Sequence, residues 1–262
     1  VLDTVVVRRR VDPGARLRLI CLGFCGGGAA SYLHWDPVMP PGVELASVCY
    51  PGREGRFTAD YARDWTELSD DALAAVRSAA DLPFVLYGHS MGGWMAFEVA
   101  ARLEREGGPL PEAVAVSSVN APSRGLTERD KYPSQHDSDE RLIAWIRTHG
   151  VAAEHILGDP DLRELALELM RADLIVRDTF FHRPGTRLGV PLQVFTGVAD
   201  KVVVPEARAQ WSELTTGAFR YDELPGGHFF TPEVWRDLPG HIAALSDLTG
   251  APADLMARRS RS

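Results

Sequence analysis

Short apolar runs alternate with longer amphipathic ones along most of this chain. Leu17 to Phe24 is an apolar run that ends in a glycine cluster, and Val43 to Tyr50 is a second that ends at Pro51-Gly52. Pro83 to Tyr87 is short and wholly apolar, as a strand covered on both faces should be. Val114 to Val119 and Leu192 to Thr196 follow the same pattern. Between them the spacing predicts helices over Asp60 to Ala80, Met91 to Arg105 and Pro205 to Leu214. A terminal helix is expected over Pro232 to Leu248, with Thr231 as N-cap and Pro232 at the first helical position. Such alternation is the signature of a mostly parallel sheet flanked by crossover helices, an α/β fold. The N-terminal run Val1 to Val7 reads as a leading strand; its charges, Arg8 to Arg10, follow the apolar run, so it does not read as a signal peptide.

One stretch breaks the alternation. Residues 123–184 contain no convincing strand. A polar loop, Ser123 to Asp139, precedes three helical segments. The first runs through Leu142, Ile143, Trp145 and Ile146 behind a Ser138 cap; the second opens at Asp159-Pro160 and runs through Leu162, Leu165, Leu169 and Met170; the third covers Asp173 to Phe181. A helical insertion between two strands reads as a lid within one domain spanning 1–262, not as a second domain. The Arg/Ser-rich end, 257–262, reads as a frayed tail.

Composition narrows the class. A hydrophobic share of 45% and a charged share of 24% fit one globular domain with a sizeable core. The formal charge of −8 argues against nonspecific nucleic-acid binding. No apolar run approaches the ~20 residues that span a bilayer. The three cysteines, Cys21, Cys25 and Cys49, form no Cys-x-x-Cys pair, so reduced thiols in the cytoplasm are the expectation. No His, Asp or Glu cluster has metal-ligand spacing; Glu140 and Glu154-His155 stand isolated, and neither a metal nor a redox cofactor is expected.

The chemistry centres on Gly88-His89-Ser90-Met91-Gly92-Gly93, which follows one expected strand and opens the next helix. Gly-x-Ser-x-Gly in that context is a nucleophile elbow, in which Ser90 takes strained backbone angles and the helix N-terminus faces a developing oxyanion. A serine hydroxyl needs a base. Of the eight histidines, His228 in Leu224-Pro225-Gly226-Gly227-His228-Phe229 follows a strand and precedes the last helix, where open α/β sheets place their sites. His89 reads as a packing residue. His136, His149, His155 and His182 read as surface positions in or near the lid, with contact to substrate as the alternative for a lid histidine, and His34 and His241 read as structural. Asp200 ends Phe195-Thr196-Gly197-Val198-Ala199-Asp200 and can orient the base. The order Ser90, Asp200, His228 is that of the α/β-hydrolases.

Gly23-Phe24-Cys25-Gly26-Gly27-Gly28 forms a second glycine cluster after the first long strand. With the Met91 N–H, a backbone N–H at Cys25, or at its neighbour Phe24, would complete an oxyanion hole. A dinucleotide loop is excluded because Ser31 stands where the last glycine of Gly-x-Gly-x-x-Gly belongs, and no Lys-Ser/Thr pair makes a P-loop. The Cys25 thiol has no histidine suggested for it and reads as a buried spectator.

Together these motifs resemble the stand-alone type II thioesterases of polyketide synthase and nonribosomal peptide synthetase systems. The likeness runs from about Leu17 to Leu248. It rests on the glycine-rich loop followed by Trp35, Tyr50-Pro51-Gly52-Arg53, the elbow, Arg171-Ala172-Asp173, Gly197-Val198-Ala199-Asp200 and Gly226-Gly227-His228-Phe229-Phe230. One departure is visible: Gly23-Phe24-Cys25 replaces the family's more usual Pro-aromatic/His-Ala start of the loop. The resemblance implies an α/β-hydrolase fold with a helical lid and hydrolysis of acyl thioesters, chiefly stalled or aberrant ones, on the phosphopantetheine arm of carrier proteins. It implies Ser90 as nucleophile, His228 as base, Asp200 as its partner, and the Met91 and Cys25 amides as oxyanion donors. Phe24, Trp94 and Phe229, with Met91, are candidates for the acyl pocket; crowding by Met91 and Trp94 would favour short acyl groups. A monomer that docks carrier proteins transiently is expected, through a local basic patch drawn from Arg53, Arg56, Arg124, Arg129 and Lys131, since carriers and this chain are both acidic. The alternatives are a general carboxylesterase or lactonase, a non-catalytic scaffold, and an excised terminal thioesterase domain; the short termini make a free-standing protein the expectation.

Overall fold

The computed structural model describes residues 5–149, 151–152 and 154–250. Seven strands form one sheet in the order β1-β3-β2-β4-β5-β6-β7. They are β1 (Val6–Val7), β2 (Leu17–Leu22), β3 (Val43–Val48), β4 (Phe84–His89), β5 (Ala113–Ser117), β6 (Leu192–Gly197) and β7 (Phe219–Leu224). Every neighbouring pair is parallel except β1 with β3. With helices on both faces, this is the α/β-hydrolase arrangement.

Side-chain alternation divides the core. On one face Ile20, Leu22, Leu86, Val114 and Val116 pack against α1 (Trp65–Ala79) and α2 (Met91–Arg105). On the other Leu19, Cys21, Val85, Tyr87 and Ala115 pack against Tyr32, Trp35, Leu238 and Leu245. Period-two alternation with both faces apolar explains why these strands read as largely apolar runs, broken in β2 only by Arg18. β7, an edge strand, is only half-buried. The register also aligns the strand ends: Leu22 pairs with Gly88, His89 with Ser117, Ser117 with Phe195 and Gly197 with Leu224. The loops that follow β2, β4, β5, β6 and β7 therefore leave the sheet along one edge.

The helical insertion between β5 and β6 differs from expectation in its segmentation. α3 (Asp139–His149) forms as the spacing predicts, with the Ser138 hydroxyl accepting the Arg141 N–H at 3.4 Å. A short α4 (Glu154–Gly158) was not anticipated. The expected second and third segments are one helix, α5 (Pro160–Asp178), because its buried face runs unbroken from Leu167 through Met170, Asp173 and Leu174 to Arg177. Asp159 caps it, accepting the Asp161 and Leu162 N–H groups at 3.0 and 3.1 Å. α6 (Ala207–Ser212) precedes β7.

Conversely, the terminal helix expected over Pro232 to Leu248 is broken. α7 (Pro232–Asp237) begins as predicted, with Thr231 accepting the Val234 N–H at 3.3 Å, but a 3₁₀ turn over Leu238–His241 separates it from α8 (Ala243–Thr249). Pro239 has no N–H to continue the α-helical ladder and Gly240 follows it. A further 3₁₀ segment, Ala29–Val38, follows the glycine-rich loop; its buried residues, Ala29, Tyr32 and Trp35, recur every third position, the period of that helix. The tail expected over 257–262 lies outside the described residues. Among the described residues no helix is long and apolar enough to cross a membrane.

At the opposite edge of the sheet, Arg18 and Glu44 form a buried pair between β2 and β3, with Arg18 Nε and Nη2 donating to Glu44 Oε2 at 2.7 and 2.6 Å. Arg18 Nη1 also donates to the Ala79 carbonyl and to Asp81. Removing one member of such a pair leaves the other charged and dry. Arg18→Met is expected to lower the unfolding free energy by about 3–5 kcal/mol in urea titrations, and Arg18→Met with Glu44→Leu to recover most of it. Equal stability of the single variant and the wild type would contradict this.

Candidate active site

Ser90 sits at the junction of β4 and α2 with φ 53° and ψ −125°. A non-glycine residue at such angles stores roughly 1–3 kcal/mol of strain, so its surroundings must hold it. Its N–H donates to the Ser117 carbonyl at 2.8 Å, and its own carbonyl accepts the Gly93 N–H at 2.8 Å. A Cβ on Gly88 would be driven into the Gly92 carbonyl, so the bend closes only with glycine there. Among the described residues no acceptor takes the Met91 or Cys25 N–H.

Asp200 and His228 come from two loops that touch backbone to backbone. A Cβ on Gly197 would strike the Gly226 and Gly227 carbonyls. The Ala199 N–H donates to the Gly226 carbonyl at 2.8 Å, and the Asp200 N–H to the Gly197 carbonyl at 2.9 Å. The Phe230 N–H closes a tight turn onto the Gly227 carbonyl at 2.9 Å and leaves His228 at its corner.

These loops bring the three residues together. His228 Nδ1 lies 3.0 Å from Asp200 Oδ2, and His228 Nε2 lies 3.1 Å from Ser90 Oγ. A carboxylate only accepts, so Nδ1 carries the proton and Nε2 is free to accept from the Ser90 hydroxyl. Burial alone would raise the Asp200 carboxyl, but the His228 hydrogen bond and charge, with the Val202 N–H at 2.8 Å, hold it below the ordinary aspartate value. The arrangement can therefore move a proton from Ser90 to an imidazole backed by a fixed negative charge.

Two further histidines surround His228. His89 is fully buried, its Nδ1 2.8 Å from the Ser117 hydroxyl, and its ring centre 5.2 Å from that of His228. Burial, with the neighbouring His228 and His149, holds it well below the usual imidazole range. His149 was expected at the surface but is half-buried at the end of α3, its ring 5.9 Å from and perpendicular to that of His228. Its Nδ1–H donates to the Trp145 carbonyl at 2.9 Å, and the Trp145 ring stacks on it at 4.4 Å. His136 and His155 are exposed and His182 is half-buried.

Ser90, Met91, Cys25 and His228 open on a cleft of about 490 Å³, its mouth included, walled further by Trp94, Trp145, Met170, Leu174 and Arg177. Trp94 is locked by Nε1 donating to the Asn120 carbonyl at 2.7 Å and by stacking on Phe180 at 4.6 Å. Phe24 and Phe229, expected in the pocket, do not line it. They pack edge to face with each other at 5.0 Å and around His89 and Trp235, because the strand end turns the loop carrying Phe24 into the aromatic core. The Cys25 thiol lies 3.5 Å from the Met91 sulfur, and burial pushes it up to about 12. Among the described residues no group of three or more His, Cys, Asp or Glu is placed to hold a metal ion.

The expected basic patch is also corrected. Arg53 is buried and forks onto Asp173 of α5 at 2.6 and 2.9 Å. Arg56 is bidentate to Asp71 at 2.6 and 2.8 Å, and Arg124 lies 3.4 Å from Asp130. Arg129 is exposed, and Lys131 is half-exposed, 3.4 Å from Glu128. Arg53 and Asp173 are 120 residues apart. Their sequence signal was the pair of motifs Tyr50-Pro51-Gly52-Arg53 and Arg171-Ala172-Asp173; nothing local showed that they meet.

Comparison with known proteins identifies the family. The family model for the thioesterase domain matches residues 17–244. Thioesterase PikA5 of Streptomyces venezuelae is 33% identical over 92% of this chain and 85% of its own length. A probable cadicidin biosynthesis thioesterase of Streptomyces griseus is 35% identical over 94% of this chain and 67% of its own. The solved structure of the type II thioesterase BorB, from the borrelidin biosynthetic cluster, superposes with a TM-score of 0.80 at 36% identity, covering 93% of this chain and 98% of that one.

The buried His89 predicts acid sensitivity. Its folded form refuses a proton that the unfolded chain accepts below about pH 6.5, so stability falls as pH drops through that value. His89→Gln is expected to flatten the fall by up to about 1.4 kcal/mol per pH unit, read from urea unfolding between pH 7.5 and 5. Parallel pH profiles for the two proteins would contradict it.

Proposed function

The chain belongs to the thioesterase family, and from that premise we propose that it is a stand-alone type II, editing thioesterase that clears acyl groups from the phosphopantetheine arm of carrier proteins. The observation that carries the chemistry is the unbroken chain from Asp200 Oδ2 through His228 to Ser90 Oγ, at 3.0 and 3.1 Å. The type II assignment is supported by the likeness to BorB over nearly its full length.

In this reading the Ser90 oxygen attacks the thioester carbonyl as its proton passes to His228 Nε2. The tetrahedral oxygen is received by the Met91 and Cys25 N–H groups, each such donor being worth ~2.7–4 kcal/mol of barrier. The C–S bond then breaks, His228 returns its proton to the departing thiolate, and an acyl-serine remains. A water attacks the ester, giving one proton to His228 and its oxygen to the acid, and Ser90 leaves with that proton. No cofactor enters any step. Asp200 keeps Nδ1 protonated and compensates the imidazolium throughout.

The helical insertion acts as the lid, since α3 and α5 supply Trp145, Met170, Leu174 and Arg177 to the cleft. Met91 and the fixed Trp94 crowd the acyl side of Ser90, so short or aberrant acyl groups are the substrates. The three unpaired cysteines fit a reducing compartment, and the cytoplasm is the place of action. Docking is transient and carried by shape and local contacts, because Arg53, Arg56 and the cleft-lining Arg177 already hold carboxylates.

The test is intact-mass analysis of a carrier protein loaded with acetyl, propionyl or longer acyl groups. Wild type is expected to remove the short groups at rates that do not climb with chain length, Ser90→Ala to leave them in place, and Asp200→Asn to lower kcat by about 10³–10⁴-fold. Removal of acyl groups by Ser90→Ala, or faster cleavage of oxygen esters than of the matching thioesters, would overturn the assignment.

A further inference from the structure

The glycine-rich loop belongs to no strand or helix, yet the oxyanion hole needs it fixed to within a fraction of an ångström. Its own backbone supplies one bond, from the Gly27 N–H to the Phe24 carbonyl at 2.8 Å, which makes Phe24 to Gly27 a four-residue turn with Cys25 and Gly26 at the corner. Gly26 has φ +74°, as the third position of a type II turn does. The central peptide of such a turn is its least constrained part. Here the Gly26 N–H donates to Asp173 Oδ2 at 2.8 Å, which fixes that peptide and with it the direction of the adjoining Cys25 N–H.

Asp173 is 2% exposed and satisfies a second group through the same oxygen, accepting Arg53 Nη1 at 2.9 Å, while its Oδ1 accepts Arg53 Nη2 at 2.6 Å. Arg53 Nη1 reaches on to the Gly27 carbonyl at 2.7 Å. Both sides of the turn are thus clamped by one ion pair. Arg53 lies over the Tyr50 ring at 5.3 Å, so the segment after β3 backs the clamp. A buried ion pair adds little to stability compared with an apolar pair of the same size, so stability alone does not account for its presence beside this loop.

We propose that Asp173 and Arg53 are positioning residues for the reaction: they hold the Cys25–Gly26 turn so that the Cys25 N–H faces the oxyanion. Asp173 does so from α5, the helix whose Met170, Leu174 and Arg177 wall the cleft, and Arg53 from the segment after β3, so the seating of that helix is tied to the completeness of the oxyanion hole. The inference rests on the thioesterase reading and goes beyond it by assigning a role to two residues that touch neither substrate nor Ser90.

The test compares Asp173→Asn, Arg53→Lys and the double variant Arg53→Met/Asp173→Leu with the wild type. The readouts are kcat and KM on a short acyl-pantetheine thioester, inhibition by an alkyl boronic acid that adds to Ser90 as a tetrahedral anion, and the melting temperature. The expected result is a loss in kcat of about 10- to 100-fold with KM unchanged, and boronate affinity falling by the same factor. The double variant removes the buried charges together, so it is expected to melt near the wild type and still lack the kcat. A double variant with wild-type melting and wild-type kcat would overturn the proposal, as would a loss of kcat with boronate affinity intact. Should the double variant not fold, Arg53→Lys decides alone, since it keeps the charge and loses the fork. A wild type inert toward thioesters would instead defeat the substrate reading, and boronate affinity across the variants would still report on the clamp.

Discussion

An imidazole fixed between a carboxylate and a hydroxyl is the constraint on which everything else rests. Asp200 and Ser90 approach opposite nitrogens of His228 at 3.0 and 3.1 Å, and the three residues stand on three different loops. That geometry survives only because β4, β6 and β7 end in register at one edge of the sheet. A slip of one residue in any of these strands would turn every side chain to the other face and carry the loop with it. The apolar core on both faces of the sheet therefore sets the register, and the register sets the chemistry.

Stability and reactivity are placed at opposite edges. The buried Arg18–Glu44 pair ties β2 to β3 far from the cleft, where strain serves no purpose. At the cleft edge Ser90 is held at φ 53°, Phe230 at φ 61°, and the loops meet through glycines that leave no space for a side chain. Such crowding fixes the Ser90 hydroxyl before substrate arrives, so less ordering is left for the transition state to bear.

Much of this was legible in the sequence, for identifiable reasons. Strands buried on both faces leave largely apolar runs, interrupted here only by single polar residues such as Arg18, Glu44 and Gln193, so β2 to β6 stood out. The Gly-x-Ser-x-Gly turn and Asp200 each follow such a run, His228 follows the half-buried β7, and their order in the chain supplied what no single motif could. Local pattern does not say which way a loop residue turns: Phe24 and Phe229 lie beside the site in sequence yet face the aromatic core around His89. Nor does it reveal contacts between distant segments, which is why Arg53 read as a surface cation and His149 as a surface histidine. Pro239 broke the terminal helix through a missing N–H that amphipathic spacing alone does not register. The break in strand alternation marked the helical insertion, but not that its Trp145, Met170, Leu174 and Arg177 would line the cleft.

Rapid acid quench of wild-type enzyme turning over a short acyl thioester, followed by peptide mass mapping, tests the central claim most directly. The account predicts a transient acyl mass on the peptide bearing Ser90 that decays as free acid accumulates. An acyl group found instead on Cys25, or turnover with no covalent adduct at any time, would contradict it.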